Sequence, residues 1–200
     1  MRLLLARHGE TDWNARGQIQ GQSDTTLNDR GRAQAAELAR RLLAAGERVE
    51  RIYASPQKRA LETAQIAGGL LGLAPEPVEG LREISFGHWE GHAWTEIQKR
   101  WREEYRRYEA DRLRMAPLGG ESFAAMLCRV LPALEQISRS GEGTALVVAH
   151  SAVIKGTLCW LEGGSFAEMN RRYRLDNAQW AVLEGRDSFP LPLAKEGRIW

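Results

Sequence analysis

Cysteine is almost absent from this chain. Its two cysteines in 200 residues, Cys128 and Cys159, have no CxxC or Cys/His spacing around them, so neither a disulfide framework nor a zinc site is expected. Long apolar runs are missing too: nothing approaches the ~18 consecutive residues of a membrane-crossing helix. Leu3 to Ala6 is too short for the apolar core of a secretory signal, so no membrane association and a cytoplasmic location are expected. Blocks of like charge are also lacking, and 28 basic against 26 acidic side chains leave a net charge of +2. That surplus gives no ground for a nucleic-acid partner. Lysine is scarce, with Lys58, Lys99, Lys155 and Lys195 the only four; a GC-rich genome gives the same bias towards arginine, which carries no functional weight here. Internal repeats, low-complexity segments and linkers are absent, and the length points to one domain over 1–200, at roughly 150 residues per domain. Hydrophobic residues at 43% and charged ones at 27% exclude a disordered or collagen-like chain.

What is present is alternation. Leu3 to Ala6 ends abruptly in Arg7-His8-Gly9-Glu10, the pattern of a buried strand feeding a loop. Asn28 caps a helix whose Ala35, Leu38, Ala39 and Leu42 share one apolar face. Val49 to Ala54 reads as a strand, and Ser55-Pro56 as the cap and first residue of a helix through Leu61 and Ile66. After a turn-rich Gly68 to Pro77, Val78 to Glu83 is the third candidate strand. Two helical patterns follow, Trp94/Ile97/Trp101/Tyr105/Tyr108 and Met126/Leu127/Val130/Leu134/Ile137, broken by Pro117 to Ser122. Thr144 to Ala149 is the cleanest strand; a short helix with Val153, Ile154 and Leu158 and a strand at Trp180 to Leu183 complete the pattern. Such alternation predicts an α/β three-layer sandwich, a mostly parallel sheet with helices on both faces. The segment of about 87–120 reads as a helical lid inserted between core elements.

In open α/β sheets ligands bind beyond the carboxyl ends of the strands, which directs attention to the residues just after each strand. Arg7-His8 follows the first, Arg59 lies in the first turn after the second, Glu83 closes the third, and His150-Ser151 follows the cleanest. Each alone has a structural explanation, as a hydrogen-bonded histidine or a surface charge. Together they suit an anion whose bond to oxygen is broken. Arginines clamp a phosphoryl group bidentately, a histidine attacks it, and a carboxylic acid protonates the leaving oxygen.

The wording of these motifs resembles the histidine phosphatase superfamily, which includes cofactor-dependent phosphoglycerate mutase. Arg7-His8-Gly9-Glu10-Thr11 with Asn14, Gln20-Gly21, and Leu27-Asn28-Asp29-Arg30-Gly31 carry the resemblance first. It continues through Ser55-Pro56, Arg59-Ala60 and Thr63-Ala64, then Leu81-Arg82-Glu83-Ile84, Phe86-Gly87 and Trp89-Glu90-Gly91. Gly119-Gly120-Glu121-Ser122 and Val148-Ala149-His150 complete it, in family order up to about residue 185. The resemblance implies that His8 becomes phosphohistidine, that Arg7, Arg59 and His150 form the phosphate pocket with Asn14 as a further donor, and that Glu83 exchanges the proton. It places Gln20 and Gly21 in a loop touching substrate or phosphate. Cationic neighbours would keep His8 neutral and stabilise a loose phosphoryl transition state, so no metal or other cofactor is expected. Ser151 departs from the family's usual glycine: it is strained if that position requires positive φ, and otherwise adds a phosphate donor.

The remaining candidates read as structural. His88 and His92 lie four apart with glycines bracketing them and no third ligand nearby, so they are expected to be lid or surface residues. The Trp94/Trp101/Tyr105/Tyr108 stripe is expected to pack a helix on the core, and Glu121-Ser122 to begin a helix with its carboxylate on the dipole. Ile84 stands where mutases typically place an arginine, and the wording is nearer the α-ribazole phosphatase and broad-specificity branch. Hydrolysis of a small phosphomonoester, such as α-ribazole 5'-phosphate or a sugar phosphate, is therefore expected. Phosphoglycerate mutase and a non-catalytic phospho-ligand binder are the alternatives, and the sequence leaves a homodimer open.

Overall fold

The computed structural model describes residues 1–184 and Phe189; positions 185–188 and 190–200, at the end of the expected 1–200 domain, lie outside the described residues. Five strands form one sheet: β1 (Arg2–Arg7), β2 (Val49–Ala54), β3 (Pro75–Pro77), β4 (Thr144–Ala149) and β5 (Trp180–Leu183), in spatial order β3-β2-β4-β1-β5. The first four are mutually parallel, and β5 runs antiparallel to β1. Among the described residues there are eight helices: α1 (Asp12–Ala15), α2 (Asp29–Ala44), α3 (Lys58–Leu71), α4 (Trp94–Arg100), α5 (Arg102–Ala110), α6 (Phe123–Arg139), α7 (Ser151–Leu161) and α8 (Met169–Arg172).

The pleat distributes the core between two faces, since successive side chains on a strand point oppositely. Leu3, Leu5, Ala145 and Val147 join Phe123, Leu127, Val130 and Leu134 of α6 and Val153 and Ile154 of α7. Leu4, Ala6, Leu146 and Val148 join Leu38, Ala39 and Leu42 of α2 and Ala60, Ala64 and Ala67 of α3. Burial on both faces is why β4 reads as one apolar run in the sequence. Asn28 accepts from the Gly31 amide and Ser122 from the Ala125 amide, so α2 and α6 carry side-chain caps that each stabilise a helix by ~1 kcal/mol.

Three local expectations are corrected. The third strand is not Val78 to Glu83 but Pro75–Pro77. Its prolines look like turn residues, yet β3 is the sheet's edge, where a missing amide is tolerated. Glu79–Leu81 is a 3₁₀ turn, and Gly80 packs there against the Ala133 side chain and the Arg129 carbonyl. Ser55-Pro56 does not open α3, which starts at Lys58 after Gln57, and α3 continues into the glycines expected to lie in a turn. The aromatic stripe does not occupy one helix: the chain breaks at Trp101, between α4 and α5.

The helices expected within 87–120 do form, as α4 and α5. The rings of Trp89, Trp94, Tyr105 and Tyr108 meet at centroid distances of 5.2–6.4 Å. Trp101 turns away, lying edge-on to His88 at 4.8 Å and to His92 at 5.0 Å. The two histidines therefore grip this tryptophan, and each also meets a carboxylate, Glu104 and Glu96 respectively.

Candidate active site

Strand register sets the floor of the site. Arg7 pairs with Ala149, and Ala54 with Val148, so His8, His150 and Ser55 emerge side by side from three neighbouring strands. The amide of His8 extends the ladder by donating to the Ala149 carbonyl at 3.0 Å. The His8 ring lies 5.3 Å from that of His150, centroid to centroid.

The tautomer of His8 follows from its neighbour. Its Nδ1 is 2.6 Å from the Gly9 carbonyl oxygen, which can only accept, so Nδ1 carries the proton and Nε2 has the free lone pair. That Nε2 has no hydrogen bond among the described residues. Gly9 is held in turn by Thr63, whose hydroxyl accepts from the Gly9 amide at 3.0 Å. A side chain at Gly9 would drive Cβ to 2.4 Å from the Gly31 carbonyl oxygen, so only glycine allows this close approach. Burial first, and then the charges of Arg59 and Arg7, hold His8 well below the ordinary histidine range. It is neutral at pH 7.

Two arginines, Arg59 buried and Arg7 half-buried, flank the ring. Arg59, fully buried in the first turn of α3, donates to the Gly21 carbonyl at 2.7 Å and to the Ser23 carbonyl at 2.8 Å. Arg7 donates to the Leu175 carbonyl at 2.9 Å. Burial lowers both, Arg59 to about 10, and both remain charged at neutral pH. Their Nε atoms are buried without a partner among the described residues. An unmet buried donor costs ~1–3 kcal/mol.

The loop that holds Arg59 is itself clamped. Gly21 has φ +51°, and a Cβ there would strike the Glu90 carboxylate. Glu90 accepts from the amides of Gln22, Ser23 and Phe86 at 2.9–3.1 Å. Gln20 is drawn inward, its Oε1 accepting from the hydroxyls of Thr11 and Thr25. Asn14 closes the capping box of α1 with Thr11, and its Oδ1 also accepts from Asn177 at 3.2 Å. That spends its oxygen and leaves the amide nitrogen.

Glu83 stands opposite. Its Oε1 accepts from the amides of Ile84 and Val153, and its Oε2 from that of Ala152, at 3.0–3.3 Å. Burial outweighs these amides and the Arg59 charge, and raises its pKa above the usual carboxylate range. Its own amide donates to Gln57 Oε1 at 2.7 Å, while Gln57 Nε2 donates to the Gly21 carbonyl. Behind it, Arg129 donates to the carbonyls of Gly80, Arg82 and Glu83 and pairs with Glu121 at 2.8 Å. Glu121 therefore does not sit on a helix dipole as expected; it holds Arg129 and the Ser85 amide.

These groups enclose a cavity of about 330 Å³ lined by Arg7, His8, Asn14, Gln20, Gly21, Arg59, Glu83 and Ser151, and also by Lys155, Arg112, Trp94 and Tyr108. His150 is the exception among the expected site residues, since it does not line the cavity. It is fully buried beside His8, with Nε2 2.8 Å from the Ser55 hydroxyl and Nδ1 unpartnered among the described residues. Burial, Arg59 and His8 hold it well below the ordinary histidine range, so it is not a third cation in the empty site. Ser151 begins α7 in a helical conformation, and Ala178 is the only described non-glycine residue with positive φ; the expected strain at Ser151 does not arise.

Several residues of the site were not expected. Gln57 follows β2 and precedes α3, where the sequence points to a helix already under way. Asn177, which donates to the His8 carbonyl at 3.0 Å, precedes a strand. Because β5 is antiparallel, its beginning reaches the same sheet edge as the ends of the others. A search confined to residues after strands cannot find it.

Comparison with known proteins agrees with this geometry. Residues 3–192 match the histidine phosphatase superfamily (branch 1). Phosphoserine phosphatase 1 of Hydrogenobacter thermophilus is 32% identical over 184 residues, covering 92% of this chain and 86% of that protein. The structure of a mycobacterial glucosyl-3-phosphoglycerate phosphatase complexed with VO3 superposes with a TM-score of 0.82 at 30% identity, covering 94% of each chain. A putative α-ribazole-5'-phosphate phosphatase from Escherichia coli gives 0.78 at 27% identity, covering 96% of this chain and 99% of the other. The chain belongs to the histidine phosphatase superfamily. It is a phosphatase of that type, acting on phosphorylated small molecules.

Proposed function

We propose that this phosphatase hydrolyses a small phosphomonoester in two in-line steps, with His8 as nucleophile, Arg7, Arg59 and Asn14 as the phosphate clamp, and Glu83 as the proton-transfer group. The observation that carries the reading is the bond from His8 Nδ1 to the Gly9 carbonyl, which leaves a neutral imidazole with its Nε2 lone pair at the cavity. In the first step Nε2 attacks phosphorus, the P–O ester bond breaks, and the leaving oxygen takes the proton of Glu83. In the second, the Glu83 carboxylate takes a proton from water, whose oxygen attacks phosphorus as the P–N bond breaks. Phosphate and neutral His8 result, with configuration at phosphorus retained. The clamp stabilises the equatorial oxygens, where electrostatics does most of the work. A phosphate dianion near His150 would favour its protonated form, in which both ring nitrogens donate.

Glu83 suits its exchange of protons because opposing influences meet there: burial favours the acid, while three amides and Arg59 favour the carboxylate. The substrate is taken to be a small phosphorylated metabolite. Phosphoserine, glucosyl-3-phosphoglycerate and α-ribazole 5'-phosphate are the candidates that the names of the related proteins supply. A cytoplasmic setting suits the two unpaired thiols, Cys128 and Cys159. The test is phosphate release from a panel containing these esters, 3-phosphoglycerate and nitrophenyl phosphate, with His8→Ala as the blank. Release that requires His8 is expected. Exchange of phosphate between 2- and 3-phosphoglycerate without net release would replace hydrolysis with a mutase reaction.

A further inference from the structure

Arg7, Arg59, Arg112 and Lys155 are the cationic side chains among the cavity-lining residues. Three of them are already engaged. Arg7 and Arg59 are held by backbone carbonyls. Arg112 is locked to Glu109 by contacts of 2.6–2.9 Å from its Nε and Nη2, so it already has a carboxylate partner. Lys155 differs from all three, having no hydrogen bond and no ion pair among the described residues. It lies on α7 one turn beyond Ser151, and Ser151, Ala152 and Lys155 are the residues by which that helix lines the cavity. Met169 and Asn170 of α8 line the wall nearby.

We propose that Lys155 forms a second anion subsite, receiving a carboxylate on the leaving group, so that the preferred substrates are phosphorylated hydroxy acids. The inference rests on the phosphatase reading and narrows it to a substrate class. Arg7 and Arg59 clamp the phosphoryl group, and His8 is neutral. Lys155 is the lining cation with no direct partner among the described residues, and only the longer-range charges of Glu83 and Asp176 support it. A half-buried ammonium without an acceptor is also unfavourable in the empty site, and a docked carboxylate relieves that cost. Burial and the nearby Arg7 charge push Lys155 down, with Glu83 and Asp176 opposing; an added anion would act in the same direction as those carboxylates. A compact ammonium with rotatable donors suits a single carboxylate oxygen on leaving groups of varied shape.

A matched pair of esters tests this, because 3-phosphoglycerate and glycerol 3-phosphate differ by a carboxylate against a hydroxymethyl group. Wild-type kcat/KM should favour 3-phosphoglycerate, and Lys155→Met should reduce that ratio by about ten- to a hundredfold, the range of one charge-assisted hydrogen bond. Lys155→Arg should retain most of it. An equal loss on both esters and on nitrophenyl phosphate would overturn the proposal, since Lys155 would then serve the phosphoryl group itself. An unchanged ratio would also overturn it. A measurement on the wild type covers the case in which the variant fails to fold: glycerate should inhibit at concentrations at least about tenfold lower than glycerol, and equal inhibition would contradict the subsite. If the wild type releases phosphate from no ester, the hydrolase reading falls and the subsite with it, whereas release without carboxylate preference removes the subsite alone.

Discussion

The floor of the cavity and its mouth are built on different principles. The floor is formed by His8 at the end of β1 and Arg59 from the helix that follows β2, with His150 and Ser55, at the ends of the adjacent parallel strands, buried beside His8 without lining the cavity. Each is buried and tied to backbone or to a buried neighbour. The mouth is a segment of short helices and turns held together by ring contacts, with Trp94 36% and Leu118 75% exposed. Strand register fixes the floor to within the tolerance of a hydrogen-bond ladder, whereas the mouth can change its side chains without disturbing that register. On the proposed function, the floor carries the reaction chemistry and the mouth the choice of substrate.

The largest effect should come from the floor. His8→Ala is expected to lower kcat by more than about a thousandfold on every ester, as loss of a covalent nucleophile does, with its circular dichroism unchanged. Residual turnover near the wild-type rate would dissolve the distinction. Glu83→Gln should cost about 10²–10⁴-fold on alkyl phosphates, the span of general acid–base catalysis, and far less on nitrophenyl phosphate, whose leaving group needs no proton. Equal slowing would remove Glu83 from the acid role. Glu83 must be protonated for the first step, so kcat should fall as pH rises through its elevated pKa, and that alkaline limb should vanish in Glu83→Gln.

Smaller effects sharpen the boundary between the regions. Gln57→Ala removes two bonds that link Glu83 to the Gly21 loop and should lower kcat about tenfold, by ~0.5–1.5 kcal/mol for each hydrogen bond. Trp94→Ala should reorder preferences among bulky esters while changing nitrophenyl phosphate hydrolysis by about twofold or less, as partly exposed truncations do. The floor also has a thermodynamic signature. His8 and His150 stay neutral when folded but take up protons when unfolded, so stability should drop as pH falls below the unfolded histidine value of about 6.5. A urea titration of His8→Gln should show a shallower decline; an identical slope would mean that His8 is not held neutral.

How far the sequence revealed this follows the same division. β4, β5 and the buried faces of α2 and α6 were legible because continuous or helically periodic apolar residues have few alternatives. His8 and Arg59 were legible because a strand rule and an ordered set of motifs converge on them; Glu83 was legible through the motifs alone, because the strand expected to end there is a 3₁₀ turn instead. Pro75–Pro77 was hidden because edge strands tolerate residues that signal turns. Asn177 was hidden because an antiparallel strand reverses which of its ends reaches the site. The withdrawal of His150 from the cavity wall depends on its bond to Ser55, a tertiary contact across 95 positions that no local pattern encodes. Lys155 attracted no notice because its meaning lies in the partners it lacks.

The central claim is that the Gly9 carbonyl fixes His8 so that Nε2 carries the reaction. Brief incubation with a turnover substrate, followed by a base quench that preserves phosphohistidine and by ³¹P NMR of the chain, tests it most directly. The account predicts phosphate on Nε2 of His8 in a stoichiometric burst, absent from His8→Ala. Phosphate on Nδ1, on another residue, or on no residue while turnover proceeds would contradict it.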